Sequence, residues 1–246
     1  MYNHQDKPNY GIDAPGTIRY FFLIGIMLTI AGWFVPSFSI LGIKISFIGS
    51  MFCVLALVPI ALGTSMLVYS IRGKFNIRDR MLDLIDWKGD ENVLDIGTGR
   101  GLLMIGAAKR LKTGKAIGID IWNAVDLSGN FIENTFKNVE LEGVKEKVEI
   151  KHQDARQMSF TDNSFDVIFS LLCLHNIENK EERAIAYREI ARVLKPGGTA
   201  LIADYTNITE YAKGLAQAGL QVEKPKFYLL QAYGLIWMVI ATKDVG

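Results

Sequence analysis

A glycine-rich segment at residues 93–101 (VLDIGTGRG) carries the strongest chemical signal in the sequence. Gly97, Gly99 and Gly101 follow a predicted buried strand and permit a tight turn whose backbone can approach a ligand at the start of a helix. The G-x-G-x-G spacing differs from the G-x-G-x-x-G of pyrophosphate sites. Asp95 would add a carboxylate beside the ligand, which favours a cation over a phosphate. A purely structural turn is the alternative, because glycine is the default residue of strained turns.

Acidic residues follow the next two predicted strands. Asp120 lies 23 residues after Gly97, near the roughly 20-residue offset at which a carboxylate accepts hydrogen bonds from a ribose diol. Trp122 offers a flat face for an adenine, Asp154 an acceptor for its exocyclic amine, and Ala155 a backbone N–H for a ring nitrogen. Three of these residues also have a structural alternative. Asp120 could be a solvated residue at a strand end, Trp122 a core side chain and Asp154 a turn-forming aspartate.

Candidates for proton transfer follow the fourth and fifth predicted strands, where ligands bind in open α/β sheets. Ser170, Cys173, His175 and Asn176 follow the fourth strand, and Asp204 and Tyr205 end the fifth. His175 is the best general base by its ordinary pKa, with a hydrogen-bonded strut as the alternative. Cys173 is predicted to be a buried, unreactive side chain, since no basic residue is visibly placed beside it.

These residues need a scaffold of alternating strands and helices, and the sequence predicts one from residue 91 onward. Predicted strands occupy residues 92–96, 116–120, 148–151, 165–170 and 199–204, and predicted helices occupy 102–111, 131–141 and 181–194. Such alternation is typical of a parallel sheet covered by helices on both faces. Residues 227–230 and 235–242 predict an antiparallel hairpin at the sheet edge. Residues 75–87 predict an amphipathic connecting helix, which either lies on anionic lipid headgroups or, as the favoured alternative, packs on this domain as its first helix.

Two long runs without charged side chains precede this domain. Residues 20–43 and 45–71 each exceed the roughly 20 apolar residues that a helix needs to cross a bilayer. A signal peptide is the alternative for the first run, but no A-x-A pattern follows it and a second run comes at once. The sequence therefore predicts a transmembrane hairpin within residues 1–72 and a separate domain at residues 73–246.

The flanking charges predict the orientation of the hairpin. The turn is expected near residues 36–44, where Pro36, Ser37, Ser39 and Gly42 interrupt the apolar pattern. It carries only Lys44, whereas the flanks carry Lys7, Arg19, Arg72, Lys74, Arg78 and Arg80. Because cytoplasmic flanks are enriched in lysine and arginine, both termini and the domain are predicted to be cytoplasmic.

Composition limits the remaining possibilities. The 246 residues carry 27 basic and 26 acidic side chains, a net charge of +1, so no electrostatic footprint for DNA or RNA is expected. Two cysteines, Cys53 and Cys173, cannot form a disulfide framework, and no Cys/His spacing predicts a metal site.

Taken in order, the segments VLDIGTGRG, GIDIW, HQDA, FDVIFS and RVLKPGG resemble the successive motifs of class I S-adenosylmethionine-dependent methyltransferases. The resemblance covers about residues 75–243. It implies a Rossmann-like α/β fold with a mostly parallel seven-stranded sheet, an antiparallel last strand, and S-adenosyl-L-methionine as cofactor. The predicted cofactor-binding residues are Asp95, Gly97, Thr98, Gly99, Gly101, Asp120, Ile121, Trp122, Asp154, Ala155 and Ser170, and the predicted catalytic residues are His175 and Tyr205.

The segment after the fourth predicted strand narrows the choice of methyl acceptor. There the chain has SLLCLHNI in place of the N-P-P-aromatic signature associated with planar amide or base nitrogens, and it lacks the cysteine cluster of arsenite methyltransferases. With the membrane hairpin, this predicts methyl transfer to a small, membrane-partitioned acceptor such as a lipid, quinone or isoprenoid. Two alternatives stay open: an anchored methyltransferase of a soluble metabolite or protein, and a non-catalytic module that binds the cofactor. The oligomeric state is left undetermined.

Overall fold

The computed structural model of this chain describes residues 7–35, 38–40, 43–45 and 47–245. Two long helices come first: α1 spans Pro15–Phe34 and α2 spans Ile48–Val68. Between them, β1 (Phe38–Ile40) pairs antiparallel with β2 (Ile43–Ile45). The predicted turn positions Pro36, Ser37 and Gly42 lie outside the described residues.

The helices do not coincide with the predicted spans at 20–43 and 45–71. Helix α1 begins five residues earlier, at Pro15, and ends at Phe34. Proline at the first helical position is favourable because its missing N–H has no partner in that turn anyway. The apolar run continues beyond Phe34 into β1, so counting uncharged residues overestimated the helix at that end.

Small residues bring α1 and α2 together. Buried positions recur every seven residues on both helices: Ile18, Gly25 and Gly32 in α1, and Gly49, Ala56 and Gly63 in α2. A Cβ atom on Gly32 would lie 2.6 Å from the carbonyl oxygen of Gly49. Contacts of this kind let two backbones approach closely, as is common between helices in membranes.

Helix α2 continues through a π-helical turn at Tyr69–Gly73 into α3, Lys74–Asp83. Helix α3 buries Ile77, Met81 and Leu82 in the core on one face of the sheet. The predicted amphipathic helix therefore packs on the α/β domain, as expected.

The rest of the chain alternates strands and helices. In chain order these are β3 (Asn92–Ile96), α4 (Leu102–Ala108), β4 (Lys115–Asp120), α5 (Ile132–Leu141), β5 (Val148–His152), β6 (Phe165–Leu171), α6 (Lys180–Val193), β7 (Leu194–Asp204), α7 (Ile208–Gln217), β8 (Gln221–Val222), β9 (Lys226–Phe227), α8 (Leu229–Ala232) and β10 (Trp237–Thr242). Strands β5, β4, β3, β6 and β7 are parallel, and β10 pairs antiparallel with β7. The fold is the predicted Rossmann-like one with a mixed sheet.

The far edge of the sheet differs from the prediction. Both β8 and β9 pair with β10, so the sheet has eight strands rather than seven. Pro225 lies between β8 and β9 and has no backbone N–H to donate to a neighbouring strand. The predicted strand 227–230 is also wrong beyond Phe227, because Leu229–Ala232 forms the short helix α8.

Two apolar cores cover the faces of the sheet, one beneath α3 and α4 and the other beneath α6 and α7. Since the parallel strands share one direction, their carboxyl ends meet along a single edge. Ile96, Asp120, Leu171 and Asp204 end β3, β4, β6 and β7 there. The candidate site lies at this edge.

Candidate active site

The glycine loop between β3 and α4 needs its glycines for two separate reasons. Gly97, Gly99 and Gly101 all have positive φ, at 71°, 53° and 85°, a region that other residues rarely adopt. In addition, a Cβ on Gly97 would lie 2.3 Å from Sγ of Cys173. The loop therefore packs directly on the segment that follows β6.

Asp95 braces this loop from within. It is 2% exposed, and its Oδ2 accepts hydrogen bonds from Thr98 Oγ1 (2.8 Å) and from the Met104 N–H (2.9 Å) in the first turn of α4. Burial raises the pKa of Asp95 to about 7 in spite of these bonds. In this structure Asp95 stabilises the glycine loop through these two hydrogen bonds. The expected contact between Asp95 and the cofactor stays a prediction.

Asp120 connects the end of β4 to the loop. Its Oδ2 accepts from the Gly99 N–H (2.7 Å), and its Oδ1 accepts from the Trp122 N–H (2.6 Å). Asn130 Nδ2 also donates to Oδ1, at 3.5 Å. A carboxylate has about four lone-pair sites, so acceptor capacity for a ribose hydroxyl remains on Oδ2. The neighbouring Asn130 has a buried Oδ1 without a hydrogen-bond partner among the described residues.

A cavity of about 960 Å³ opens in front of these groups. Of the predicted site residues, the structure brings Gly97, Gly99, Asp120, Ile121, Asp154, Ala155, His175 and Tyr205 to its wall. Asp95, Thr98, Gly101, Trp122 and Ser170 do not line it. Ile121, rather than Trp122, therefore presents an apolar side chain where the adenine was expected.

Asp154 is held by an ion pair that the sequence did not predict. Arg156 donates Nε to both carboxylate oxygens of Asp154 (2.9 and 3.0 Å) and also pairs with Glu182. Hydrogen bonding to this guanidinium lowers the pKa of Asp154. An adenine amine at Asp154 would share the carboxylate with Arg156.

His175 and Asp204 form a dyad at the opposite wall. Nδ1 of His175 lies 3.0 Å from Oδ2 of Asp204, which is fully buried and also accepts from the Tyr211 hydroxyl (3.0 Å). An ionised carboxylate can only accept, so the pairing assigns the proton to Nδ1 and leaves the Nε2 lone pair as the basic position. Sequence reasoning singled out both residues but did not predict their pairing.

Tyr205 lies beside this dyad, with its ring centroid 4.9 Å from that of His175. Burial, followed by the nearby charges of Asp204 and Asp126, raises the pKa of Tyr205. The phenol therefore stays protonated at neutral pH and can donate a hydrogen bond, but it is a poor base. Burial raises the pKa of the Cys173 thiol well above its ordinary value, which disfavours the thiolate. The side chain is only partly buried and lines the cavity, so its predicted inert role stays a prediction.

The chain before α1 crosses the glycine-loop side of the site, and we call residues 9–14 the strap. The Ile12 N–H donates to Ser128 Oγ (2.7 Å), and the Ala14 N–H donates to the carbonyl of Asp126 (2.8 Å). Asp126 itself lines the cavity. The strap therefore forms part of the frame around the site.

Lys74 fastens the strap from the other side. Its ammonium donates to the carbonyls of Tyr10 and Gly11 (2.7 Å each) and to Asp13 Oδ2 (3.1 Å). Lys74 is 2% exposed, and these acceptors satisfy its three N–H donors. No local sequence signal could have found this contact, since the partners are more than 60 residues apart.

The cavity also reaches the two apolar helices. Its far wall is formed by Thr17, Phe21, Leu62, Ser65, Met66, Leu235 and Ile236. With a rise of 1.5 Å per residue, Phe21 lies about 9 Å into α1 from Pro15, and Leu62 about 9 Å into α2 from Val68. One continuous space thus joins the dyad to the side of the helix pair.

The residues present fit a cationic nucleoside cofactor. The cavity wall carries six acidic side chains, Asp13, Asp120, Asp126, Asp154, Glu178 and Glu182, against one arginine, Arg156. The positive-φ glycine loop, the spare acceptor capacity of Asp120 and the unpartnered Asn130 Oδ1 provide the polar groups for a sugar. No group of three or more His, Cys, Asp or Glu side chains that could hold a metal occurs among the described residues.

Comparison with known sequences agrees with this geometry. Residues 93–198 match the methyltransferase-domain family. The chain is 33% identical over 146 residues to phosphoethanolamine N-methyltransferase 2 of Caenorhabditis elegans, covering 59% of this chain and 29% of that protein. It is 32% identical to the ubiquinone/menaquinone biosynthesis C-methyltransferase UbiE of Hydrogenovibrio crunogenus (48% and 43% covered) and 31% identical to demethylmenaquinone methyltransferase of Bacteroides fragilis (47% and 44% covered). The chain thus spans less than half the length of these relatives.

Solved structures show the same fold. A SAM-dependent methyltransferase from Aquifex aeolicus superposes with a TM-score of 0.55 at 22% identity, covering 67% of this chain and 88% of that one. The cyclase SpnF superposes with a TM-score of 0.58 at 18% identity (70% and 81% covered), so the fold alone does not decide the reaction. Residues 93–198 therefore match a methyltransferase-domain family, and the α/β domain has the fold of solved SAM-dependent methyltransferases.

Proposed function

We propose that this chain is a membrane-anchored methyltransferase whose acceptor is a small, membrane-partitioned molecule of the lipid, quinone or isoprenoid class. The observation that carries the proposal is the cavity of about 960 Å³, whose wall includes both the His175 dyad and the flanks of α1 and α2. An apolar acceptor withdrawn into water loses about 0.8 kcal/mol per CH₂. A site that opens onto the membrane helices avoids most of that cost.

Membrane insertion of α1 and α2 is part of the proposal. Only 17% of each apolar window is buried within the protein, whereas a core helix of a water-soluble protein is mostly buried. Outward side chains such as Met27, Trp33 and Val54 are 68%, 82% and 63% exposed. We place the hairpin within residues 1–72 and the methyltransferase domain at residues 73–246, with both termini cytoplasmic because the flanks carry most of the cations.

The cofactor is assigned to the glycine-loop half of the cavity. S-adenosyl-L-methionine supplies a methyl group on a sulfonium, whose thioether leaving group needs no protonation. Asp120 would accept hydrogen bonds from the ribose hydroxyls, and Ile121 would cover the adenine. Because the glycine loop has no side chains at Gly97, Gly99 and Gly101, its backbone can lie close to the cofactor. The acidic lining favours a cation electrostatically. Alignment of the two reactants, worth about 7–11 kcal/mol in well-oriented cases, is then the main contribution of the protein.

We assign to the His175–Asp204 dyad the removal of a proton from the methyl acceptor. His175 Nε2 is the acceptor position for a hydroxyl or acidic C–H proton, and Asp204 stabilises the resulting imidazolium through Nδ1–H. Tyr205 keeps its own proton and can orient the acceptor oxygen by donating to it. His175 thus serves as the general base and Tyr205 as a donor.

The phosphoethanolamine relative raises a second possibility, a soluble phosphorylated acceptor. Asp13 is paired with Lys74, and Asp154 and Glu182 are paired with Arg156. The six acidic side chains on the cavity wall still outnumber these two cations and oppose a phosphate there. A neutral acceptor meets no such repulsion. The charge of the wall therefore favours the membrane-partitioned class.

The test is methyl transfer by the full-length protein in lipid nanodiscs. Radiolabelled S-adenosyl-L-methionine is supplied with either a native membrane lipid extract or the soluble metabolites of the same cells. Label is expected in the organic phase, and it should disappear with Asp120→Ala, which removes the proposed ribose contact. Label found only in soluble products would overturn the membrane-partitioned acceptor.

A further inference from the structure

One apolar surface of the domain is not used by the proposed reaction. Residues 227–237 (FYLLQAYGLIW) contain no charged side chain, and we call this segment the lip. Leu230 is 83% exposed and Leu235 is 61% exposed, with Leu229 and Tyr233 also exposed. Such clustering of large apolar side chains on a surface marks an interaction site.

The lip is seated against the end of α2. Ser65 Oγ donates to the carbonyl of Tyr233 (2.6 Å), and Asn76 Nδ2 donates to the carbonyl of Gln231 (2.9 Å). A Cβ on Gly73 would lie 2.0 Å from the carbonyl oxygen of Ala232, so the backbones touch. These contacts hold the lip beside the helix pair.

These contacts fix the position of the lip along the axis of α2. Ser65 lies three residues before the end of α2 at Val68, which is about 4.5 Å along the helix axis. The exposed side chains of Leu62 and Ile71 flank this level on the helix, so the apolar surface of the lip continues that of the helices. Arg19 and Arg72 are exposed near the same helix ends, where cations face lipid headgroups.

The lip also closes the cavity. Gly234, Leu235 and Ile236 line it together with Phe21 of α1 and Met66 of α2. At the two ends of the lip, the rings of Phe227 and Trp237 stack with centroids 4.5 Å apart. The lip is therefore both an exposed apolar surface and one side of the entrance.

We propose that the lip inserts into the cytoplasmic leaflet of the bilayer and forms a lateral portal, through which the acceptor passes between the lip and the α1–α2 pair. The proposal rests on the proposed function, because it assumes an acceptor that resides in the membrane. The lipid surface is the chosen occupant because the lip continues the helices' apolar surface, at the same level as their flanking cations. A leucine- and aromatic-rich segment is also typical of the membrane interface.

Insertion can be measured without any enzyme assay. In the full-length protein with Cys53→Ser, an environment-sensitive fluorophore is attached at Leu230→Cys or, as a matched control, at Val245→Cys. Val245 is similarly exposed, at 79%, but it follows β10 at the opposite end of the sheet from the lip. The Cys53→Ser protein, in which Cys173 is the remaining cysteine, gives the background labelling. Each labelled protein is reconstituted into vesicles of phosphatidylcholine and phosphatidylglycerol that contain a lipid with a spin label near its headgroup as quencher.

We expect the label at position 230 to be quenched about three-fold or more relative to position 245, because only the lip meets lipid. Equal quenching at the two positions would overturn the proposal. A blue-shifted emission at 230 without quenching by lipid would also overturn it, by showing that a second copy of the chain covers the lip.

The portal is tested by Leu230→Asp, a position that does not line the cavity. For a membrane-dissolved acceptor, kcat/KM should fall about tenfold, as expected when a charge is placed at an apolar interface. The Kd for S-adenosyl-L-methionine should not change, and Val245→Asp should leave both values unchanged. An unchanged kcat/KM in Leu230→Asp would overturn the portal. Failure of the proposed function alone would instead give no lipid product with any variant, while lip quenching persists.

Discussion

The pairing of His175 with Asp204 makes the proposed general base testable. Asp204→Asn replaces the carboxylate that fixes the imidazole tautomer and stabilises its protonated form. For an acceptor that must lose a proton, kcat should fall about 10²-fold or more. Cofactor affinity should hold, because Asp204 is fully buried and does not line the cavity.

Tyr211→Phe is the matched control for this change. It removes one hydrogen bond to Asp204 Oδ2 but leaves the bond to His175 in place. Its kcat should stay within a few-fold of the wild type. If Asp204→Asn and Tyr211→Phe lowered kcat equally, His175 would not be the base.

Asp95 predicts a pH dependence of stability. Burial raises the pKa of Asp95 in the folded protein to about 7, above its ordinary value of 3.8. Between these values the folded protein binds more protons than the unfolded chain, so stability falls as the pH rises from about 4 to about 7. Asp95→Asn cannot ionise and should flatten this dependence. Thermal unfolding of the detergent-solubilised protein at several pH values measures it.

The exposed Asp90, close to Asp95 in the chain, supplies the control. Asp90→Asn should retain the wild-type slope of Tm against pH, because its side chain lies at the surface. The same slope in Asp95→Asn as in the wild type would show that another buried group is responsible.

At the scale of elements, alanine substitutions at two glycines can distinguish the cost of a strained backbone from the cost of a steric clash. Gly97 (φ 71°) and Gly143 (φ 68°) have nearly the same backbone conformation. A Cβ on Gly97 would lie 2.3 Å from Cys173 Sγ, whereas a Cβ on Gly143 meets nothing within 4 Å. Both alanine substitutions incur the cost of positive φ, about 1–2 kcal/mol.

Gly97→Ala should therefore lower Tm further than Gly143→Ala, by an amount corresponding to roughly 1–3 kcal/mol of overpacking. It should also weaken binding of S-adenosyl-L-methionine, measured by calorimetry, because the loop must shift. Equal effects of the two substitutions on Tm and affinity would mean that the loop tolerates a side chain beside Cys173.

The strand and helix alternation was predictable because each strand–helix unit is encoded locally. The glycine loop and Asp120 belong to consecutive units, so their meeting followed from the parallel order. The pairing of His175 with Asp204 joins two different strand ends and depends on the register between β6 and β7. The break between β8 and β9 falls at Pro225, which is a local signal, but the helix α8 lies in a short apolar segment where periodicity alone does not distinguish strand from helix.

For the molecule as a whole, the strap joins α1 to the region of the glycine loop. It leads directly into α1, and its residues are held by Lys74, which follows the π-helical turn after α2. Deletion of residues 1–72 would therefore remove part of the frame of the site along with the hairpin. Lys74 thus fixes the strap to the junction between α2 and α3, and we call this contact the clamp.

Lys74→Met tests the clamp in the intact chain. The substitution leaves the carbonyls of Tyr10 and Gly11 without their donor, and removing one partner of a buried ion pair costs about 3–5 kcal/mol. Amide hydrogen exchange in residues 9–14 should accelerate, and the affinity for S-adenosyl-L-methionine should fall because the frame at Asp126 loosens. Arg110→Met is the control, since the Arg110–Asp83 pair is exposed and worth little. If exchange in the strap were unchanged by Lys74→Met, the hairpin and the cofactor loop would be coupled by another route.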